Sequence, residues 1–239
     1  WTEHTLRYIT IFTAALSTQL GAVVLLKLPA HSIKSALITA LGLSLLFHCS
    51  DLLWCALGSI LAIASKFLIR FKGKHLFNPA NFGIMLVIIL GGPAWISPGQ
   101  WGSTPMLMLF FSGAALMVLL KVGRIDTSIT FLLTLFALEF SRTVLWLGWD
   151  MDVLIHKFMN GSLLLFAFFM ITDPRTTPNS RKGRILWAAL IAVASFALTS
   201  WHYLFTAPMW VLLAVSPLTV LLDHFFKGKQ FTWFNQSAH

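Results

Sequence analysis

Long apolar runs separated by short polar breaks, most of them basic, decide what this chain can fold into. A hydrocarbon core of about 30 Å needs about 20 apolar residues of helix. Runs of about that size occur near 8–26, 28–49, 51–68, 82–97, 104–120, 127–147, 153–172, 185–203 and 204–222. The fold class they predict is all-α: a polytopic transmembrane helix bundle of about nine crossings, forming a single integral membrane domain over 1–239. Composition agrees, with 57% hydrophobic residues, 10% charged and a mean hydropathy of +0.80. Soluble domains carry about 25% charged residues, so a soluble enzyme, a DNA-binding domain and a disordered linker are excluded. The second and seventh runs contain His31 and Lys34, and His156, Lys157 and Asn160; a shorter, re-entrant or tilted piece is the alternative at each. The first run already reaches spanning length, so no cleavable signal peptide is expected.

The net charge of +9 would suggest nucleic acid in a soluble protein. Here its distribution gives another meaning. Alternate loops hold Lys27 and Lys34; Lys66, Arg70, Lys72 and Lys74; Lys121 and Arg124; Arg175, Arg181, Lys182 and Arg184; and Lys227 and Lys229, which is 14 of the 17 basic residues. The opposite side receives Arg7, Arg142 and Lys157 with Glu3, Asp51, Glu139, Asp150 and Asp152. Cytoplasmic loops carry the Lys/Arg excess, so nine crossings place the N-terminus outside and the C-terminus inside, with the lipid bilayer and no nucleic acid as partner. Seven tryptophans, at 54, 95, 101, 146, 149, 201 and 210, fall near outer ends, where interfacial belts form.

Two breaks are related. His75-Leu76-Phe77-Asn78-Pro79-Ala80-Asn81 and Ile171-Thr172-Asp173-Pro174-Arg175-Thr176-Thr177-Pro178 each set a short polar residue before proline at an inner end. The offset of 95 between Asn78 and Asp173 carries the first run onto the fifth and the second close to the sixth. An internal duplication, with units at about 8–97 and 103–203, is expected from this. Proline frees backbone carbonyls, and non-helical backbone at membrane depth belongs where protein or a polar cavity surrounds it. A shared polar site at the bundle centre and simple helix capping both account for these breaks. On the outer side, Ser97 to Pro105 forms a loop in which Thr104-Pro105 suits a helix start.

In order along the chain stand Asn78-Pro79-Ala80, Gly102-Ser103-Thr104-Pro105 and Thr172-Asp173-Pro174-Arg175-Thr176-Thr177-Pro178. This series resembles the membrane subunit shared by the Rnf electron-transport complex (its D subunit) and the sodium-pumping NADH:quinone oxidoreductase (its B subunit). The resemblance covers about 75–190 and is most specific in the Thr-Asp-Pro segment. It implies an electron-transfer subunit of a bacterial inner-membrane redox complex, with other membrane subunits and soluble or periplasmic electron carriers as partners. It also implies flavin, FMN or riboflavin. The family's Gly-Ala-Thr-Pro threonine carries FMN through a phosphoester, and Thr104 is the matching position, beside Gly102 and Ser103. Trp101 and Ser103 replace the family's serine and alanine, so flavin attachment and a plain helix cap are both open at Thr104. Asn78, Asn81, Asp173, Thr176 and Thr177 are the candidates for hydrogen bonds to a flavin ring or ribityl chain.

Other constellations compete. His48 and His202 lie at similar predicted depth and are the candidate axial ligands of a b-type haem, against ordinary interfacial histidines. Glu139 and Arg142, three apart, can pair on one helix face, and a role in ion or proton movement is the alternative. Cys49 and Cys55 form no CxxC, so neither an iron–sulfur nor a structural zinc site is expected from this chain alone. No GxGxxG fingerprint is present, so NAD(P)H oxidation by this chain alone is not expected. A cofactor-less structural subunit and an ion or solute transporter of related fold are the alternative functions.

Overall fold

Most apolar runs fold as helix, and Gly21 and Gly58 are carried inside helices. In the computed structural model, which describes residues 2–97, 113 and 117–231, α1 covers Thr2–Leu25. Pro29 starts a 3₁₀ turn at Ala30–Ser32, followed by α2 (Ile33–Leu46). Asp51 caps α3 (Leu52–Leu68), its carboxylate accepting from the Leu53 amide at 2.9 Å. Next come α4 (Pro79–Ile89), α5 (Ile125–Phe140) and α6 (Met151–Phe158). The chain ends with α7 (Gly161–Leu165), α8 (Arg181–His202), α9 (Ala207–Val215) and α10 (Leu218–Phe225). π-helical turns extend α5 over Ser141–Trp146 and α7 over Phe166–Met170.

The molecule is mostly helical, yet it is not a set of nine equal rods. α1, α5 with its extension and α8 are long and apolar enough to cross a membrane. The pairs α6/α7 and α9/α10 bend by 54° and 56°, which raises the number of spans among the described residues to five if each pair counts as one. α2 and α4 have 14 and 11 residues, or about 21 and 17 Å at 1.5 Å per residue. The runs 28–49 and 82–97 are therefore not continuous helices. Their C-terminal ends leave helix as β1 (Phe47–Cys49) and β4 (Ala94–Ile96), which pair antiparallel with His48 opposite Trp95. Gly91-Gly92-Pro93 causes the second break: Gly91 takes φ +77°, open to glycine, and proline cannot donate to a helix. A second small hairpin, β2 (Arg70–Phe71) with β3 (Lys74–His75), turns through Lys72 and Gly73 at positive φ. Most of run 104–120 lies outside the described residues.

Packing has two centres, with α9 between them. α3 packs on α1 and α4, α5 packs on α8, and α9 touches both α8 and α4. Close approach in the first centre relies on glycine: a Cβ at Gly83 would strike the Gly58 carbonyl and lie 2.7 Å from the Ala62 Cβ. Small residues serve this purpose where helix backbones meet in membranes. Phe47, Ile63, Met85, Phe131, Phe166, Trp187 and Leu212 belong to one continuous buried core. The outer faces stay apolar; Trp95, Trp146, Trp149 and Trp201 are all exposed, as an interfacial belt requires. A disulfide joins Cys49 to Cys55 across the start of α3, a bond that hydropathy and motif spacing do not predict.

Candidate functional site

The site begins with two asparagines at the start of α4. Asn78 is its N-cap: Oδ1 accepts from the Asn81 amide at 3.1 Å, and Pro79 follows at the position where a missing N–H costs nothing. The other half of the Asn78 amide donates to the Met170 carbonyl at 3.2 Å. One turn on, Asn81 donates from Nδ2 to the Met209 carbonyl at 3.1 Å. Two side chains thus tie α4 to the end of the α7 π turn and to α9. Asn81 is 1% exposed, and its Oδ1 has no partner.

Met170 lies at the other break. Beyond it the backbone turns at Asp173, whose carbonyl accepts from the Thr176 and Thr177 amides at 3.1 and 3.0 Å. The Asp173 carboxylate accepts from the Arg175 amide at 3.0 Å, a side-chain-closed turn typical of aspartate. Removal of this carboxyl from water raises its pKa; the Arg175 amide, Lys66, Arg175 and Lys74 act in the opposite direction. Thr176 and Thr177 are buried, and the Thr177 hydroxyl, at 0% exposure, has no partner. The Asn78–Met170 bond thus links the break that holds Asn78 and Asn81 to the segment leading into the turn of Asp173, Thr176 and Thr177.

Residues without a motif of their own hold this turn in place. Lys74 donates to the Thr177 carbonyl and pairs with Asp223 at 2.7 Å. Asp223, on α10, also accepts from the Asn179 amide and side chain at 2.7 and 3.0 Å. Arg184 grips Asp126 through Nε and Nη2 and donates to the Asn179 carbonyl at 2.9 Å. A lone acid in an apolar terminal segment was the available signal for Asp223, since ionisable residues at membrane depth seldom lack a role.

The remaining expectations separate. Gly102, Ser103 and Thr104 lie outside the described residues. His48 packs its ring 5.9 Å from that of Trp95, whereas His202 is exposed at the end of α8. Among the described residues no group of three or more His, Cys, Asp or Glu could hold a metal ion. Glu139 does not pair with Arg142. Its carboxylate takes Lys157 at 2.8 Å and the Thr143 hydroxyl at 3.4 Å, while Arg142 reaches the Ser200 carbonyl at 3.5 Å. The π turn from Ser141 changes the helical spacing on which the expected pair depended.

With both breaks converging in space, comparison with known proteins becomes informative. Residues 90–232 match the model of the NQR2, RnfD, RnfE family. The chain belongs to this family. The match includes Gly102 to Pro105 and the Asp173 turn, and it leaves Asn78 and Asn81 outside. Among curated relatives, the D subunit of the ion-translocating oxidoreductase complex of Stutzerimonas stutzeri is 30% identical over 161 residues, covering 62% of this chain and 44% of the relative. The Shewanella loihica protein of the same name is 27% identical over 124 residues, 52% of this chain and 35% of the relative. That of Haemophilus influenzae is 24% identical over 162 residues, 67% of this chain and 44% of the relative. This chain thus spans less than half the length of each. These relatives are named as subunits of an ion-translocating oxidoreductase complex, and this chain shares their family.

Proposed function

We propose that the chain is an electron-transfer subunit of a bacterial inner-membrane ion-translocating oxidoreductase, and that the Asn78–Asp173 site holds a flavin, FMN or riboflavin. One observation carries the reading: Asn81 Oδ1 and Thr177 Oγ1 are buried polar atoms without partners, one at each of the two breaks. Buried polar groups are nearly always satisfied, so a ligand with complementary donors and acceptors fits here. An isoalloxazine ring offers an imide N–H for Asn81 Oδ1 and carbonyl or ribityl oxygens for the Thr177 hydroxyl. Asn78, Asp173 and Thr176 shape the walls through backbone bonds. A bound flavin supplies one- and two-electron chemistry; the protein supplies placement, a dry surrounding and fixed dipoles.

In this reading Thr104 is the attachment point of a second, covalent FMN on the outer side. The chain crosses nine times with its N-terminus outside, and its two halves derive from duplication. Soluble or periplasmic electron carriers and further membrane subunits complete the path. The test is flavin analysis of the purified complex: in-gel fluorescence of wild type against Thr104→Ala for the covalent group, and acid-released flavin of wild type against Asn81→Ala for the other. Loss of each signal in its own variant is expected. A colourless wild-type complex with intact partners would overturn the flavin reading in favour of a structural subunit.

A further inference from the structure

We propose that Lys66, Arg70, His75 and Arg175 form an anion site for the phosphate of a phosphomonoester at the inner mouth of the asparagine–threonine site. The end of α3, the β2–β3 hairpin and the Asp173 turn supply these groups. β2 and β3 pair Arg70 directly with His75, and Arg70 Nε donates to the Lys66 carbonyl. His75 bonds to the Lys66 backbone as well. The Lys66 amine is buried and donates to the Ser35 carbonyl and hydroxyl at 3.1 and 3.3 Å.

The charges do not cancel. Arg70 and Arg175 repel each other, and both repel a proton on His75. Asp173 is the carboxylate within reach, and it is turned into its own loop by the Arg175 amide. The other acids of this end are committed, Asp126 to Arg184 and Asp223 to Lys74 and Asn179. Among the described residues, neither Arg70 nor Arg175 has an ion pair. Paired guanidinium groups bind phosphate oxygens with geometry that ammonium groups lack.

His75 selects the kind of anion. It is 9% exposed and its Nδ1 has no partner. Burial, with Arg70, Arg175 and Lys66 adding to it, pushes its pKa down to about 4, so without a ligand the ring is neutral and Nδ1 is a bare acceptor. A phosphomonoester, with its second pKa near 6, takes up one proton from solvent close to neutral pH, and that proton can bridge to such a nitrogen. One proton shared between a phosphate oxygen and Nδ1 satisfies the ring whichever atom holds it. Sulfate and phosphodiesters lack that proton.

The phosphate could belong to FMN, to a phosphatidic acid headgroup or to free phosphate. Only the first source rests on the flavin reading above. The experiment is calorimetric titration of the purified full chain in detergent with inorganic phosphate, sulfate, FMN and riboflavin. It is repeated on Arg175→Gln and on Arg70→Gln/Arg175→Gln, with thermal melts to show that each is folded. Phosphate is expected to bind about tenfold more tightly than sulfate, and the double variant to lose about that factor. FMN binding more tightly than riboflavin, by a margin that the double variant removes, identifies the flavin phosphate. Equal flavin affinities with phosphatidic acid retained in native mass spectra, and lost from the double variant, identify the lipid. Arginine-dependent phosphate binding with no flavin binding leaves the site standing and removes the flavin reading. Flavin binding with phosphate no better than sulfate, and no effect of the variants, overturns the anion site and leaves the flavin reading intact.

Discussion

Lys74 and Asp223 show how single side chains fix the candidate site. Their ion pair is largely buried, and removing one partner of such a pair leaves a charge without compensation. Asp223→Ala is expected to destabilise the chain by about 3 kcal/mol, read as a lower melting temperature in detergent. Lys74→Met/Asp223→Leu should recover most of that loss, because replacing both charges removes the desolvation penalty along with the attraction. A double variant as unstable as the single one would show that the Asn179 contacts, rather than the ion pair, hold α10. His75 gives a second residue-scale expectation. Its pKa falls from 6.5 to about 4 in the fold, so between those values the unfolded chain binds the proton that the folded chain refuses. Stability from this group is complete above pH 6.5, declines as pH falls toward 4 and changes no further below that. Melting curves of wild type and His75→Gln should converge in slope above pH 6.5, with wild type falling more steeply between 6.5 and 4. Parallel curves through that window would refute the assignment. The paired breaks at Asn78 and Asp173 were legible in the sequence because proline and a short polar residue have local meaning. Asp223 was not, because its partners lie 149 and 44 residues away.

At the scale of elements, apolar length predicted helices well and predicted their ends poorly. Run 185–203 became α8, whereas 28–49 and 82–97 each gave a short helix and a strand. Hydropathy cannot separate a buried strand from the last turn of a helix; Phe47, Cys49, Ala94 and Ile96 suit either. Pairing of β1 with β4 resolves this through contacts remote in sequence. Ser97 donates to the Leu46 carbonyl at 2.8 Å, and Ser50 to that of Pro93 at 3.0 Å, so the ribbon closes the outer ends of two half-length helices. The α3–α4 contact makes this arrangement testable. Gly83→Val places methyl groups where the Gly58 carbonyl and Ala62 already lie, and a loss of at least about 1–3 kcal/mol is expected from overpacking. Gly21→Ala, with nothing within 4 Å of its Cβ, should leave α1 unchanged or gain up to about 1 kcal/mol. Equal melting temperatures for both variants would mean that α3 and α4 do not meet as closely as described.

For the whole molecule, the proposed orientation rests on two unrelated features. At one end, Asp126, Asp173 and Asp223 sit among Lys66, Lys74, Arg124, Arg175 and Arg184, and in the proposed topology the basic excess of that end makes it the cytoplasmic one. At the other end of α3 lies the Cys49–Cys55 disulfide, a bond that persists in oxidising compartments and seldom in the cytosol. The charge rule and redox chemistry are independent, so their agreement is stronger than either alone. The prediction is that both native cysteines resist a membrane-impermeant maleimide until reduced, and react in right-side-out vesicles once a reductant is added. In a Cys49→Ser/Cys55→Ser background, Asp152→Cys should then label from outside. Lys182→Cys, exposed at the start of α8, should label only in inverted or permeabilised vesicles. Labelling of both new cysteines from the same side would remove an odd number of crossings between 152 and 182. The bent pair α6/α7 would then be a re-entrant hairpin, and α8 would run in the sense opposite to its counterpart in the first unit.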